Sequence, residues 1–232
     1  MSHLFQRSSV HTLSLMLAVC LLTAPAFANK KGNRANDAKR HTEDAAKVFD
    51  EIMSASDSAI PKDLVDKAQA IAVFPGVVKA AFVVGGREGK GVISRRTAAG
   101  WSAPAFFNLA GASFGAQVGA DKTDYVLLIM NEKGLNKLLA DKLELGGEVG
   151  VAAGPVGREA SAATDAQLNA EILTYSRSKG AFIGAALKGT TITPDNDLNE
   201  AFYGLNAREI LSGGVNSTPV AVMVYPQTLS RY

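Results

Sequence analysis

The chain has 232 residues, 47% of them apolar and 20% charged, with a formal net charge of +2. That suits one globular domain with a real core and excludes a global field strong enough to recruit nucleic acid. The only cysteine is Cys20, and two of the three histidines, His3 and His11, lie in the first 28 residues, so the body has no disulfide, no thiol nucleophile and no Cys/His metal centre.

Arg7, the apolar run from Leu13 to Leu22 and the small-residue pair at Ala26 and Ala28 form the three parts of a secretory signal peptide, which would leave Asn29 as the new N-terminus. The run is shorter than the ~20 residues a spanning helix needs. Leu17-Ala18-Val19-Cys20 also resembles a bacterial lipoprotein site, where Cys20 would be acylated and retained, although Val19 stands where Gly, Ala or Ser is usual. Both routes imply a periplasmic protein, one soluble and one tethered to the membrane.

Residues 29–41 carry Lys30, Lys31, Arg34, Lys39 and Arg40 against Asp37 and have no apolar face, which predicts a flexible basic segment. Either it is a solvated tail or it is attracted to anionic lipid head groups, at about 1 kcal/mol per basic residue. A helix is predicted from Thr42, as its cap, to about Ser56, with Ala45, Val48, Phe49, Ile52 and Met53 on one face. That stripe is a core face or, through Phe49, a membrane-facing one. Pro61 opens a second short helix with Leu64, Val65 and Ala68 inward.

From Ile71 the pattern is strand. Ile71 to Phe74 is expected to stop at Pro75-Gly76, and Ala80–Val84 and Gly91–Ser94 to pair around a hairpin turn at Gly85–Gly91. Arg87 and Lys90, near Arg95 and Arg96, would make a basic edge on that turn, either solvating it or meeting phosphate head groups. Trp101 to Gln117 alternates, and Tyr125 to Met130 reads as a strand buried on both faces. A helix follows Asn131 with Leu135, Leu138 and Leu139 on one side. Strands resume near 143–153, 172–176 and 181–192, and a last helical stretch covers about 197–212. Strands dominate without βα alternation. The prediction is an α+β chain, mainly an antiparallel β sandwich or partly closed barrel with N-terminal helices and one or two further short helices. Its domain spans 42–212, and 213–232 is a C-terminal strand or tail of the same domain.

The catalytic motifs fail on their requirements. Gly111-Ala112-Ser113-Phe114-Gly115 has the spacing of a nucleophile elbow, but no histidine follows His41 and the context is strand. Gly85 to Gly91 lacks the first glycine of a phosphate loop, and Gly91 stands where Ser or Thr must bind Mg²⁺. Acids are scattered, so neither a metal nor a cofactor is expected, and no catalytic residue is assigned.

Five strings in order carry a resemblance: Trp101-Ser102-Ala103-Pro104; Gly115-Ala116-Gln117-Val118-Gly119 with Thr123-Asp124; Gly150 to Arg158; Tyr175 to Gly180; and Phe202-Tyr203-Gly204. Together they resemble the SYLF domain over about residues 42–204. The resemblance implies a non-enzymatic domain that binds phospholipids, phosphoinositides in eukaryotic members, and actin in some fungal members. It attributes lipid binding to an amphipathic N-terminal helix and a basic surface, which here points to the helix from Thr42 with Phe49, and to Lys79, Arg87 and Lys90. An export signal would remove actin as a partner and leave phospholipid. A structural or protein-interaction module of the periplasm is the alternative.

Overall fold

The protein is described here by a computed structural model, which describes residues 25–55, 59–81, 84–114, 119–140, 142–147, 149–157, 169–185 and 187–232. The apolar run at 13–22 and Cys20 lie outside these residues, as does Arg158. In chain order the elements are helices α1 (Pro25–Met53) and α2 (Lys62–Lys67), then strands β1 (Ala70–Ala81), β2 (Val84–Thr97), β3 (Gly100–Trp101), β4 (Ala105–Phe114) and β5 (Gly119–Ile129). Helix α3 (Glu132–Leu138) leads to β6 (Leu143–Leu145), β7 (Val151–Ala153), β8 (Ile172–Ser178), β9 (Ala181–Gly184) and β10 (Thr190–Pro194). The chain ends in α4 (Asn196–Tyr203), α5 (Ala207–Glu209) running into a π turn (Ile210–Gly214), a 3₁₀ turn (Val220–Val222) and α6 (Val224–Leu229).

The strands form one ten-stranded sheet in the order β6-β10-β4-β2-β1-β5-β8-β7, with β3 on β2 and β9 on β8. Every pairing is antiparallel except β7 with β8. A bridge between Leu145 and Val149 brings the two ends of the sheet together, so the sheet is a nearly closed barrel. Of the two expected β architectures, the partly closed barrel is the one formed.

Alternation along each strand sorts the core in two. The inner set draws Phe74 and Val77, Ile93, Phe107 and Leu109, Tyr125, Leu127 and Ile129, and Leu143, Leu145 and Ile192 from six neighbouring strands of the barrel. Leu135, Leu138, Ile210 and Leu211 join it from α3 and the π turn, and α3 follows directly on Ile129, closing the end where β5 finishes. The outer set holds Ile71, Val73, Val92, Val126 and Leu128, covered by α1 and the C-terminal turns. Strand β5 is buried on both faces, as its unbroken apolar run predicts.

Helix α1 corrects two expectations. Residues 29–41 are helical, not a flexible segment, and Thr42 is no cap. Its hydroxyl donates back to the carbonyls of Ala38 (3.0 Å) and Lys39 (2.8 Å), the back-bond of a residue inside a helix. Packing explains the extension: Ala38 is fully buried, which anchors a turn ahead of Thr42. Residues 25–37 continue the helix for about 20 Å ahead of that anchor, at 1.5 Å per residue. The apolar stripe is a core face. Ala45 and Phe49 are fully buried, Ile52 and Val48 nearly so, and the Phe49 ring meets Tyr232 edge-on at 5.9 Å. Each such side chain contributes about 1.5–3 kcal/mol relative to exposure.

Three other differences have local causes. Pro75-Gly76 does not end β1 but makes a bulge inside it, with the register shifting between Val73 and Val78. Gly76 adopts φ +56° there and donates its N–H to Asp124 at 2.7 Å. Gly85–Gly91 is not a turn but part of β2, paired to β4 throughout and to β1 over Gly85–Glu88. Its glycines make room: a Cβ on Gly91 would lie 2.4 Å from Phe74 and from the Val73 carbonyl, and one on Gly89 2.6 Å from Val77. Lastly, 213–232 forms helical turns, not a strand; Tyr225 is fully buried and donates its hydroxyl to the Ile71 carbonyl at 3.0 Å.

Candidate functional site

The inner face of the barrel changes character toward the end opposite α3. Below Val77 and Leu109 it is apolar; beyond them the inward positions are Lys79 on β1, Arg87 on β2, Gly111 on β4, Asp121 and Thr123 on β5 and Thr190 on β10. Lys79 and Arg87 are direct cross-strand partners, as are Arg87 and Gly111, and Gly111 and Thr190. One row across four strands therefore reads Lys79, Arg87, Gly111, Thr190.

Two like charges placed opposite each other repel, and neither Lys79 nor Arg87 forms an ion pair with a described residue. Both are half-buried. Asp121, which faces Lys79 from β5, is engaged at 3.5 Å by Lys179. Glu88 belongs to the other face of β2. The Nε of Arg87 and the hydroxyl of Thr190 are buried without a hydrogen-bond partner, a costly state for polar groups.

Lys90 is separated from this site by strand parity. It lies on the outer face of β2 and is bound to Asp195 at 2.6 Å. Asp195 also caps α4 through the Leu198 N–H at 3.2 Å. His41 on α1 is nearby, its pKa lowered first by burial and then by Arg40 and Lys90. The expected basic edge is thus split: Arg87 inside, Lys90 outside in an ion pair. Arg95 pairs loosely with Glu132 at 3.9 Å, and Arg96 stacks 4.3 Å over Trp101 while donating to the carbonyls of Ala68 and Val65 at the end of α2.

The remaining sequence candidates fall on α1. Lys30, Lys31 and Arg34 lie in its N-terminal part. Lys39 and Arg40 are exposed and locally paired, with Glu43 at 3.6 Å and Asp37 at 2.8 Å, contacts that contribute little in water. Phe49 has no exposed surface and no access to a ligand in this arrangement. Ser113 lies within β4, next to its last residue and paired with Gly85, not on an elbow. Among the described residues, no group of His, Cys, Asp and Glu is placed to hold a metal ion, and no helix is long and apolar enough to cross a membrane.

Sequence reasoning missed two polar assemblies. Arg177, inside the fourth resemblance string, binds Asp124 at 2.9 Å and Glu51 of α1 at 2.6 Å, tying the helix to β5, β8 and, through Asp124, the Gly76 bulge. Glu171 is buried at a polar depression lined by Lys133, Gly146, Gly147, Gly150 and Lys188. It accepts from Lys133 and from the Gly150 N–H at 2.5 Å, and the Lys133 hydrogen bond is the main cause that holds its carboxyl below the ordinary range. Their only sequence signal is a charge next to an apolar strand.

Comparison with known proteins agrees with the resemblance. The family model Ysc84, described as "Las17-binding protein actin regulator", matches residues 110–232. The chain is 38% identical over 205 residues to LAS seventeen-binding protein 3 of Saccharomyces cerevisiae, covering 83% of this chain and 44% of that protein. It is 34% identical over 187 residues to SH3 domain-containing YSC84-like protein 1 of Xenopus laevis (76% and 56% covered), and 33% identical over 196 residues to that of Mus musculus (81% and 57%). The chain spans about half the length of these relatives.

Proposed function

This chain belongs to the Ysc84 family, whose domain is the SYLF domain, and from that premise we propose that it is a non-catalytic module that binds anionic phospholipid surfaces through basic side chains. The observation that carries the reading is the pair Lys79 and Arg87, half-buried side by side toward the end of the barrel opposite α3, without an acidic partner among the described residues. The N-terminal part of α1 carries the further basic residues Lys30, Lys31 and Arg34. The apolar face of α1 contributes no insertion while it is docked, because the core uses it.

Co-sedimentation with phosphatidylglycerol-containing vesicles tests this. Binding is expected at low salt and lost near 0.5 M, where the screening length falls to about 4 Å. Charge reversal at Lys30, Lys31, Lys39 and Arg40 together is expected to weaken binding more than about a hundredfold, at about 1 kcal/mol per residue. Absence of binding to anionic vesicles at low salt would sink the proposal.

We further infer the bacterial envelope as the compartment, from the leader-like residues 1–28. The mass of the N-terminus of the protein isolated from its producing cell is expected to show either a start at Asn29 or an acylated Cys20; an intact Met1 overturns export. A protein-interaction role is the second reading, favoured by the binding named in the family's description and its relatives' names. Pull-down from envelope fractions before and after lipid extraction separates the two, since a protein partner survives extraction.

A further inference from the structure

We propose that His41 is a pH-sensitive release for the first docked turn of α1: its protonation moves the start of the docked helix from Ala38 back to Ala45. The switch does not depend on the lipid reading. It stands on the place of His41 in the interface between α1 and the barrel.

Residues 34, 38, 41, 45, 48 and 52 make one row along α1 at helical spacing. Ala38, Ala45, Val48 and Ile52 of that row are buried, and His41 stands half-buried among them. Thr42 beside it is fully buried. None of residues 32–37 is buried. Ala38, His41 and Thr42 are therefore the first turn of α1 held by packing, and a turn at the end of a docked helix opens before the rest.

A charged ring fits this turn poorly. The charged groups around His41 are Asp37, Arg40 and Asp44 on α1 itself and Lys90 on β2. Asp37 is engaged by Arg40 at 2.8 Å, and Asp44 is exposed. Lys90 is held in place by Asp195 at 2.6 Å, so its ammonium does not withdraw from a second cation. The 3₁₀ turn and α6, which also pack on α1, contain no charged residue. Lys79, the one charge of β1, belongs to the inner face, and Asp197 and Glu200 of α4 are exposed. Burial first, then Arg40 and Lys90, lower the pKa of His41, so the docked form holds the ring neutral.

The sign follows. Undocked, the ring takes up its proton near pH 6.5, and docked it does so only at lower pH. Docking is complete above about pH 6.5 and weakens as the pH falls toward the docked value. His41 is the only histidine after residue 28, and ordinary carboxylates titrate near pH 4, so this window belongs to it.

Hydrogen exchange on the full chain tests the switch, read by mass spectrometry on peptides covering residues 38–44 and 45–53. Rates at pH 7.5 and 5.5 are each corrected to the intrinsic rate at that pH. Protection of 38–44 is expected to fall about two- to tenfold in acid, tenfold being the limit for one group that titrates near pH 6.5 when undocked. It is expected to lie below that of 45–53 at pH 5.5. His41→Gln, neutral at both pH values, is expected to remove the fall. His41→Lys, charged at both, is expected to show low protection of 38–44 throughout. The proposal is overturned if wild-type protection of 38–44 is the same at both pH values, or if His41→Gln shows the same fall. Equal protection of 38–44 and 45–53 in acid also overturns it, because α1 then opens as one unit.

Discussion

Gly91→Ala is expected to yield no folded protein, or one destabilised by about 3 kcal/mol or more. The added methyl would sit 2.4 Å from the Val73 carbonyl oxygen and 2.4 Å from the Phe74 ring. Neither can retreat: Val73 and Phe74 are fully buried, both are paired to β5 and Val73 is also paired to β2, and close-packed interiors resist such shifts. Gly86→Ala is the control on the same strand. Its nearest neighbour would be the Gly111 carbonyl at 3.9 Å, an ordinary contact. That substitution is expected to be neutral or stabilising by up to about 1 kcal/mol, through the lost freedom of the unfolded chain. Urea denaturation of both variants checks the pair; a Gly91→Ala protein with wild-type stability would refute the steric account of the β1 bulge.

Asn199→Ala is expected to cost about 1–3 kcal/mol, from the buried Phe106 N–H left unpaired, while the Phe106 carbonyl keeps the Asp195 N–H at 2.9 Å. The Asn199 amide works as a short piece of strand. Its oxygen accepts from the Phe106 N–H at 2.8 Å and its nitrogen donates to the Phe106 carbonyl at 3.0 Å, with the side chain fully buried. This fastens α4 to the outer edge of β4, where the Phe106 ring also meets Phe202 and Tyr203. Asn199→Asp keeps the acceptor but turns a second oxygen on the Phe106 carbonyl, so it is expected to be no milder than Asn199→Ala. Thermal and chemical denaturation read both; a loss below about 1 kcal/mol for either would show that water replaces the amide.

The two expectations differ in how legible they are from the chain. Glycines inside a strand pattern announce a bulge or close approach, but which residue approaches depends on the one-residue slip at Pro75-Gly76 in a different strand. Asn199 carries no signal at all, because its partner lies 93 residues away. The basic residues show the same limit. Lys79, Arg87 and Lys90 are identifiable as cations near strands, and strand parity separates Arg87 from Lys90 once both are known to lie in β2. The reading of Gly85–Gly91 as a turn hid that parity.

What the sequence by itself determined are the features set by local chemistry. The apolar stripe on α1, the doubly buried β5 and the Asn131 cap on α3, with its 2.9 Å bond from the Gly134 N–H, all follow from periodicity and capping within one segment. The strings of the SYLF domain determined the family in the same way. Only the tertiary structure decided where the helix begins, that Phe49 faces the core, that Lys90 is held by Asp195, and that Arg87 and Thr190 flank Gly111 in one row. Each of these depends on register between strands distant in sequence, and register is a property of the assembled barrel, where a slip of one residue exchanges its inner and outer faces.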